Sequence, residues 1–379
     1  MAEVPAMNPD PVVFRTITTA SGHRFGRATL DMPASLNALT LAMVDLLAPR
    51  LDAWATDPDI AGVLLDAAGD KAFCAGGDVV ALHRSIRAAA PGQVPLEAAR
   101  FFEREYRLDF SLHTYPKPLV CWGHGIVMGG GIGLLAGASH RVLTPKTRLA
   151  MPEITLGLYP DVGGSWFLGR APGRAGLFLA LTGAPLNASD ACFAGLGDVV
   201  LEHADHGRVL EAISAAAWTG TRDADAARLS HLLESFAAGV ARPASPLASH
   251  LHRIDAVIGH DTIFEIAPRL EALAADPDPW LAAAGAAFAK GSPTSARLSF
   301  EMQRRARHLS LADVFRLEYR ASVGCCLHPD FAEGVRALLV DKDRTPRWTP
   351  ATLADVSDAW IAGHLDSASH GPQPLADLA

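Results

Sequence analysis

The stretch Leu119–Gly164, LVCWGHGIVMGGGIGLLAGASHRVLTPKTRLAMPEITLGLYPDVGG, decides how the rest of the chain is read. It joins a triple glycine, Gly129–Gly130–Gly131, to an apolar run, then places two isolated carboxylates, Glu153 and Asp161, in apolar or glycine-rich surroundings. Leu119–Trp122 reads as a short buried strand and Ile132–Ala138 as a helix, with the glycines at the turn between them. A helix that starts in glycines presents backbone N–H groups with nothing in front of them, under the partial positive charge of its dipole. Such an end suits a developing oxyanion. The same glycines also serve close packing of helix on sheet, and a triple glycine alone does not separate the two uses. The two carboxylates downstream weigh toward chemistry.

Other readings of this stretch fail. A membrane span needs roughly 20 apolar residues, and the run here is cut short by His140 and Arg141. GHGIVMGGG is like the HGGG oxyanion loop of lipases, but no G-x-S-x-G nucleophile elbow occurs anywhere, which argues against a serine hydrolase.

Working outward, 379 residues with 49% hydrophobic content and 20% charge bury a large core and make two or three structural units. A formal charge of −8 argues against a nucleic-acid partner. Cys74, Cys121, Cys192, Cys325 and Cys326 form no C-x-x-C pair and no metal spacing, so no metal is expected and reduced thiols are. The amino terminus shows neither a secretory nor a transit pattern, and the expectation is a cytoplasmic protein.

Upstream, Val12–Thr18 and Phe25–Asp31 are alternating runs around Ser21–Gly22 and predict a hairpin. A helix over about 39–56 and a buried strand at Ile60–Asp66 follow, then the glycine-rich loop GDKAFCAGGD at 69–78. This unit resembles the one at Leu119–Ala138, since in both a loop after a strand ends in glycines. Such repetition predicts an α/β fold built as a coil of ββα units rather than a doubly wound nucleotide fold, and no G-x-G-x-x-G follows the first strand. Leu96–His113 has helical periodicity. From about Asp205 amphipathic helices predominate, with breaks at Arg242–Pro246, Pro277–Pro279 and Ser292–Pro293. The expected division is a ββα core at 1–204 and a helical region at 205–379, with a disordered tail after His364.

If the loops Ala75–Asp78 and Met128–Gly131 lie on one side of the core, their glycine N–H groups make a two-donor pocket for a carbonyl oxygen becoming negative, with Gly77 and Gly130 as the donors. At this point KAFCAGGD, HGIVMGGGIG and MPEITLGLYPDVGG together resemble the enoyl-CoA hydratase/isomerase (crotonase) superfamily. FFEREYRLD, SPTSARLSF and EYRASVGCCLHPDFAEGVRALLVDKDRTPRW resemble its 3-hydroxyisobutyryl-CoA hydrolase branch, over about residues 12 to 360.

The resemblance implies a crotonase-like spiral with a helical carboxyl-terminal region, and a coenzyme A thioester gripped by Gly77 and Gly130. Ala75, Gly76, Asp78 and Gly129 would line the substrate site. No separate cofactor is implied, since coenzyme A is part of the substrate. Neither nucleic acid nor membrane is a partner, and a homo-oligomer joined through the helical region is expected. In hydratases of the superfamily a glutamate stands where this chain has Gly133, and glycine is neither acid nor base. The branch instead implies Glu153 as nucleophile toward the thioester carbonyl or as base for water. Asp161 would hold the β-hydroxyl or assist water, and Glu105 would position the substrate or the groups around Glu153. The implied reaction is hydrolysis of a short β-hydroxyacyl-CoA, most specifically the valine-degradation thioester 3-hydroxyisobutyryl-CoA. An enoyl-CoA hydratase or isomerase with Glu153 as main base is the alternative. These acids in a partly dry pocket are expected to raise one another's pKa. His124 is read as hydrogen-bonded scaffold, Cys74 and Cys121 as core residues, and Lys71, Arg84 or the helical region as sources of cations for the CoA phosphates.

Overall fold

The computed structural model describes residues 10–366 and 371–379. Val12–Thr18 (β1) and Arg24–Leu30 (β2) pair antiparallel, as the alternating runs around Ser21–Gly22 predict. Leu41–Thr56 (α1) starts at Thr40, whose side chain accepts from the Met43 N–H and so satisfies one unpaired amide of the first turn. Ile60–Ala67 (β3) is buried along almost its whole length, as a strand covered on both faces must be.

From β3 onward the chain repeats one manoeuvre. It passes from β3 to Ala72–Cys74 (β4) and then to Val79–Ala88 (α2) and Leu96–His113 (α3). It passes from Leu119–Gly123 (β5) to Ile126–Met128 (β6) and Gly130–Ala136 (α4), and from His140–Leu143 (β7) to Arg148–Ala150 (β8), Gly164–Phe167 (α5) and Ala175–Thr182 (α6). Leu186–Asn187 (β9), Ala188–Phe193 (α7) and Val199–Val200 (β10) complete the coil. Each turn thus adds one strand to a six-stranded sheet, β1-β2-β3-β5-β7-β10, and one to a four-stranded sheet, β4-β6-β8-β9. Within the turns the pairs run parallel. The corner between β5 and β6 is tight enough to require glycine: Gly125 has φ +60°, and a Cβ there would lie 2.2 Å from the Lys71 carbonyl oxygen.

Two helices of the carboxyl-terminal part, His206–Ala215 (α8) and Arg222–Ala237 (α9), cover one face of the larger sheet. Trp218, Leu229 and Leu233 pack there against Phe25, Leu64 and Trp122. Three of the next four helices begin where prolines fall, Pro246–Ile258 (α10), Pro279–Lys290 (α12) and Pro293–Ala306 (α13), while Ile263–Ala272 (α11) starts behind Thr262. Ser245, Asp278 and Ser292 cap the three that open on proline, whose missing N–H costs nothing at that position. Leu311–Leu327 (α14) lies along α3 and brings distant sequence to it. Pro329–Val335 (α15) runs into a π-helical turn at Arg336–Val340, and Asp358–Leu365 (α16) packs on α14.

The tail corrects one expectation. Residues 367–370 lie outside the described residues, but 371–379 pack rather than fray. Leu375 is fully buried, Arg107 pairs with Asp377 at 2.8 Å, and Arg316 donates to the Leu375 carbonyl at 3.0 Å. The leucines of the tail supply apolar surface, and arginines on α3 and α14 supply donors for its backbone. No helix among the described residues is long and apolar enough to cross a membrane.

Candidate active site

Two loops meet above the smaller sheet. After β4, Leu39 bridges in parallel to Gly77: the Leu39 N–H donates to the Gly76 carbonyl at 2.8 Å and the Asp78 N–H donates to the Leu39 carbonyl at 2.9 Å. In a parallel bridge the opposed residue bonds the neighbours on either side, so the N–H of Gly77 itself points away, toward the loop after β6. Gly130 opens α4 on that side. Among the described residues neither the Gly77 nor the Gly130 N–H has an acceptor. A Cβ on Gly130 would lie 3.4 Å from the Gly77 nitrogen, so the two amides are close neighbours. Gly76 and Gly129 turn the two loops with φ +110° and +46°, values open chiefly to glycine.

All nine residues expected at the site, Ala75, Gly76, Gly77, Asp78, Glu105, Gly129, Gly130, Glu153 and Asp161, line one cavity of about 540 Å³. Asp78 has a structural task there as well: its side chain accepts from the Ala81 N–H and caps α2. Lys71 and Arg84 are not on the cavity wall, whereas Arg344, with Leu338 and Leu339, is. His124 stands apart from the cavity, with Nε2 2.7 Å from the Gly69 carbonyl oxygen and its ring stacked on His203, which is the scaffold role expected of it. Cys74 and Cys121 are fully buried, and burial pushes the Cys74 thiol up to about 12.

Glu153 opens a short 3₁₀ turn, Glu153–Thr155, and is 4% exposed. One of its oxygens lies 3.1 Å from where a Cβ on Gly129 would be, and the other, Oε2, has no hydrogen-bond partner among the described residues. Burial raises its pKa well above the usual carboxylate range, and the charge at Asp161 raises it further. Glu105 is brought in from α3. Its Oε1 has no partner among the described residues and would touch a Cβ on Gly130 at 2.4 Å. Burial, then Asp161, then Glu153 raise its pKa well above normal, so these acids do raise one another. Asp161 is likewise lifted by burial, to about 6, although the Tyr106 hydroxyl, 2.6 Å from Oδ2, works in the opposite direction.

The structure adds residues that the sequence does not single out. Asp109, one helical turn beyond Glu105, is fully buried with neither oxygen hydrogen-bonded among the described residues. Tyr106, Tyr159 and Ser322 form a hydroxyl chain behind Asp161. Glu318 on α14 accepts from the N–H groups of Gly163 and Ser165 and so fixes the loop that carries Asp161. The spacing of Glu105 and Asp109, four residues apart on a predicted helix, is the one sequence signal that puts a second acid on the same face.

Comparison with known proteins places this geometry. The model of the enoyl-CoA hydratase/isomerase family matches residues 25–365. The mitochondrial 3-hydroxyisobutyryl-CoA hydrolase of Gallus gallus is 38% identical over 339 residues, 89% of this chain and 85% of that protein. The mitochondrial enzyme of that name from Homo sapiens is 36% identical over 345 residues, 90% and 86% of the two chains. Among solved structures, a carnitinyl-CoA dehydratase from Mycobacterium thermoresistibile superposes with a TM-score of 0.82 at 38% identity, covering 95% of this chain and 97% of its own.

The relatives' names overturn the cytoplasmic expectation, because the chicken and human proteins are both named as mitochondrial. Unpaired thiols do not tell one compartment from another. A coil of ββα turns, paired glycine amides over a cavity with Glu153 and Asp161, and matches along nine-tenths of the sequence agree: the chain belongs to the enoyl-CoA hydratase/isomerase family, on its 3-hydroxyisobutyryl-CoA hydrolase branch.

Proposed function

We propose that this chain hydrolyses a short β-hydroxyacyl-CoA thioester, 3-hydroxyisobutyryl-CoA first among them, to the free acid and coenzyme A. One observation carries the reading. The carboxylate of Glu153, with one oxygen free of partners among the described residues, shares a cavity with the N–H groups of Gly77 and Gly130, unpaired among the same residues, while position 133 offers no side chain to act as a second acid. Adding water across a double bond requires a placed acid and a placed base, whereas cleaving a thioester requires a nucleophile and a held oxyanion.

In this reading the thioester oxygen accepts from Gly77 and Gly130, and Glu153 attacks the carbonyl carbon. The C–S bond breaks to leave a mixed anhydride, which water opens with help from Asp161. Glu105, packed against Gly130, sets the position of the acyl group. The coenzyme A moiety arrives with the substrate, and no further cofactor enters the scheme. The names of the hydrolase relatives support the acyl group chosen, and a role in valine degradation is part of this proposed reading.

The structural neighbour described as a dehydratase keeps a hydratase or isomerase reading, with Glu153 as main base, in view. A panel of short acyl-CoAs with and without a β-hydroxyl separates the two. The expected result is free thiol from the β-hydroxyacyl substrates with no change in enoyl absorbance. A change in unsaturation without thiol release would establish the alternative.

A further inference from the structure

Behind Asp161 five oxygens stand in a line. Asp161 Oδ2 is 2.6 Å from the Tyr106 hydroxyl, which is 2.6 Å from Ser322 Oγ. Ser322 Oγ is 2.9 Å from the Tyr159 hydroxyl, and Tyr159 is 2.7 Å from the backbone carbonyl of Glu318. Tyr106, Tyr159 and Ser322 are fully buried, so bulk water supplies no hydrogen to the line. Burial also raises both phenols well above their ordinary range, so each keeps its hydrogen.

The hydrogens can be counted. The line has four oxygen–oxygen contacts but only three hydroxyl groups, and the carbonyl at its end has no hydrogen to give. With Asp161 ionised, Tyr106 donates to it, Ser322 donates to Tyr106, and Tyr159 donates to Glu318. The contact between Ser322 and Tyr159 is then left as two lone-pair-bearing oxygens facing each other in a buried place, which costs free energy. With Asp161 protonated, every contact holds one hydrogen, all pointing from Asp161 toward Glu318.

We propose that Ser322, with Tyr106 and Tyr159, is a positioning residue that holds Asp161 as the protonated acid of the resting site. The existence of this proton does not depend on the hydrolase reading; its use does. As Glu153 adds to the carbonyl carbon and the C–S bond breaks, the electron pair stays on sulfur and sulfur takes the Asp161 proton, so coenzyme A leaves as the thiol. The resulting Asp161 carboxylate takes a proton from the water that attacks the anhydride, and Glu153 departs as carboxylate. Both acids return to their starting forms. A proton on Asp161 also removes the neighbouring charge that raises Glu153, which favours the attacking carboxylate. The other titratable groups facing Asp161 are Glu105 and Asp109 on α3, Glu153, and Glu318 and Cys325 on α14.

The test reads the proton without substrate. In the infrared spectrum of the free protein taken below the value of about 6 to which Asp161 is lifted, Asp161→Asn is expected to remove a protonated-carboxyl C=O band. Ser322→Ala and Tyr159→Phe each break the line on the far side of Tyr106 and leave Tyr106 free to donate to an ionised Asp161. Both are expected to shift the titration of that band to lower pH by about one unit, the worth of one hydrogen bond. The basic limb of the kcat profile should move with it, while the thermal midpoints confirm that the variants are folded. An Asp161→Asn spectrum unchanged in this region would overturn the proposal, as would Ser322→Ala and Tyr159→Phe variants that move neither titration nor limb. A protein that shows the band and its shift but cleaves no thioester would uphold the proton on Asp161 and remove the hydrolase reading.

Discussion

Both carboxyl oxygens of Asp109 stand 3.0 Å from where a Cβ on Gly133 would lie, and the Val162 Cβ would be 2.7 Å from it. The space beside the fourth residue of α4 is therefore filled from outside, by an acid arriving on α3 and by the loop that carries Asp161. The glycine at 133 and the aspartate at 109 are two halves of one packing decision.

It follows that Gly133→Glu does not install hydration. The new side chain has to displace a buried carboxyl and a valine, an overpacking expected to cost about 1–3 kcal/mol. Urea unfolding is expected to show that loss, with no hydration of crotonyl-CoA, and Asp109→Ala in the same chain should recover part of the stability. A fully stable Gly133→Glu protein that hydrates crotonyl-CoA would contradict this packing.

Asp161 makes stability depend on pH in a definite direction. Its pKa rises from 3.8 to about 6 on folding, so between those values the folded chain binds more protons than the unfolded chain. Stability contributed by this group is complete below that window and lost as pH rises through it, on the order of 3 kcal/mol for a shift of about two units. Unfolding free energies at the two ends of the window should differ less in Asp161→Asn than in the parent. An equal pH dependence in both proteins would show that the carboxyl is not perturbed as described.

Among the described residues Arg344, four residues beyond the π-helical turn that holds Leu338 and Leu339, is the arginine on the cavity wall. A guanidinium at that rim suits a phosphate of coenzyme A. Arg344→Ala is expected to raise KM for a CoA thioester about tenfold, equivalent to about 1.4 kcal/mol, and to leave KM for the matching N-acetylcysteamine thioester unchanged. Equal effects on both substrates would assign Arg344 to packing.

Much of this was legible in the chain, and the rest was hidden for physical reasons. The helix Leu96–His113 stands where its periodicity puts it, because its apolar stripe and its burial follow the same period. Glu153 and Asp161 stood out because a charge flanked by glycines and apolar residues has no ordinary solvated explanation. Asp109 did not, since an acid on an amphipathic helix looks solvent-facing, and its packing against the distant Gly133 is not visible in the helix itself. Ser322 and Tyr106 lie more than two hundred residues apart and acquire meaning only through each other. The tail at 371–379 misled because its anchors, Arg107 and Arg316, belong to other elements.

The central claim is that Glu153 attacks a thioester whose oxygen is held by Gly77 and Gly130. Its most direct test is the rate of thiol release from 3-hydroxyisobutyryl-CoA by the parent and by Glu153→Gln, with binding of coenzyme A measured on both. The account predicts a loss of at least about 100-fold in kcat with binding nearly intact. Unchanged turnover in Glu153→Gln would contradict it.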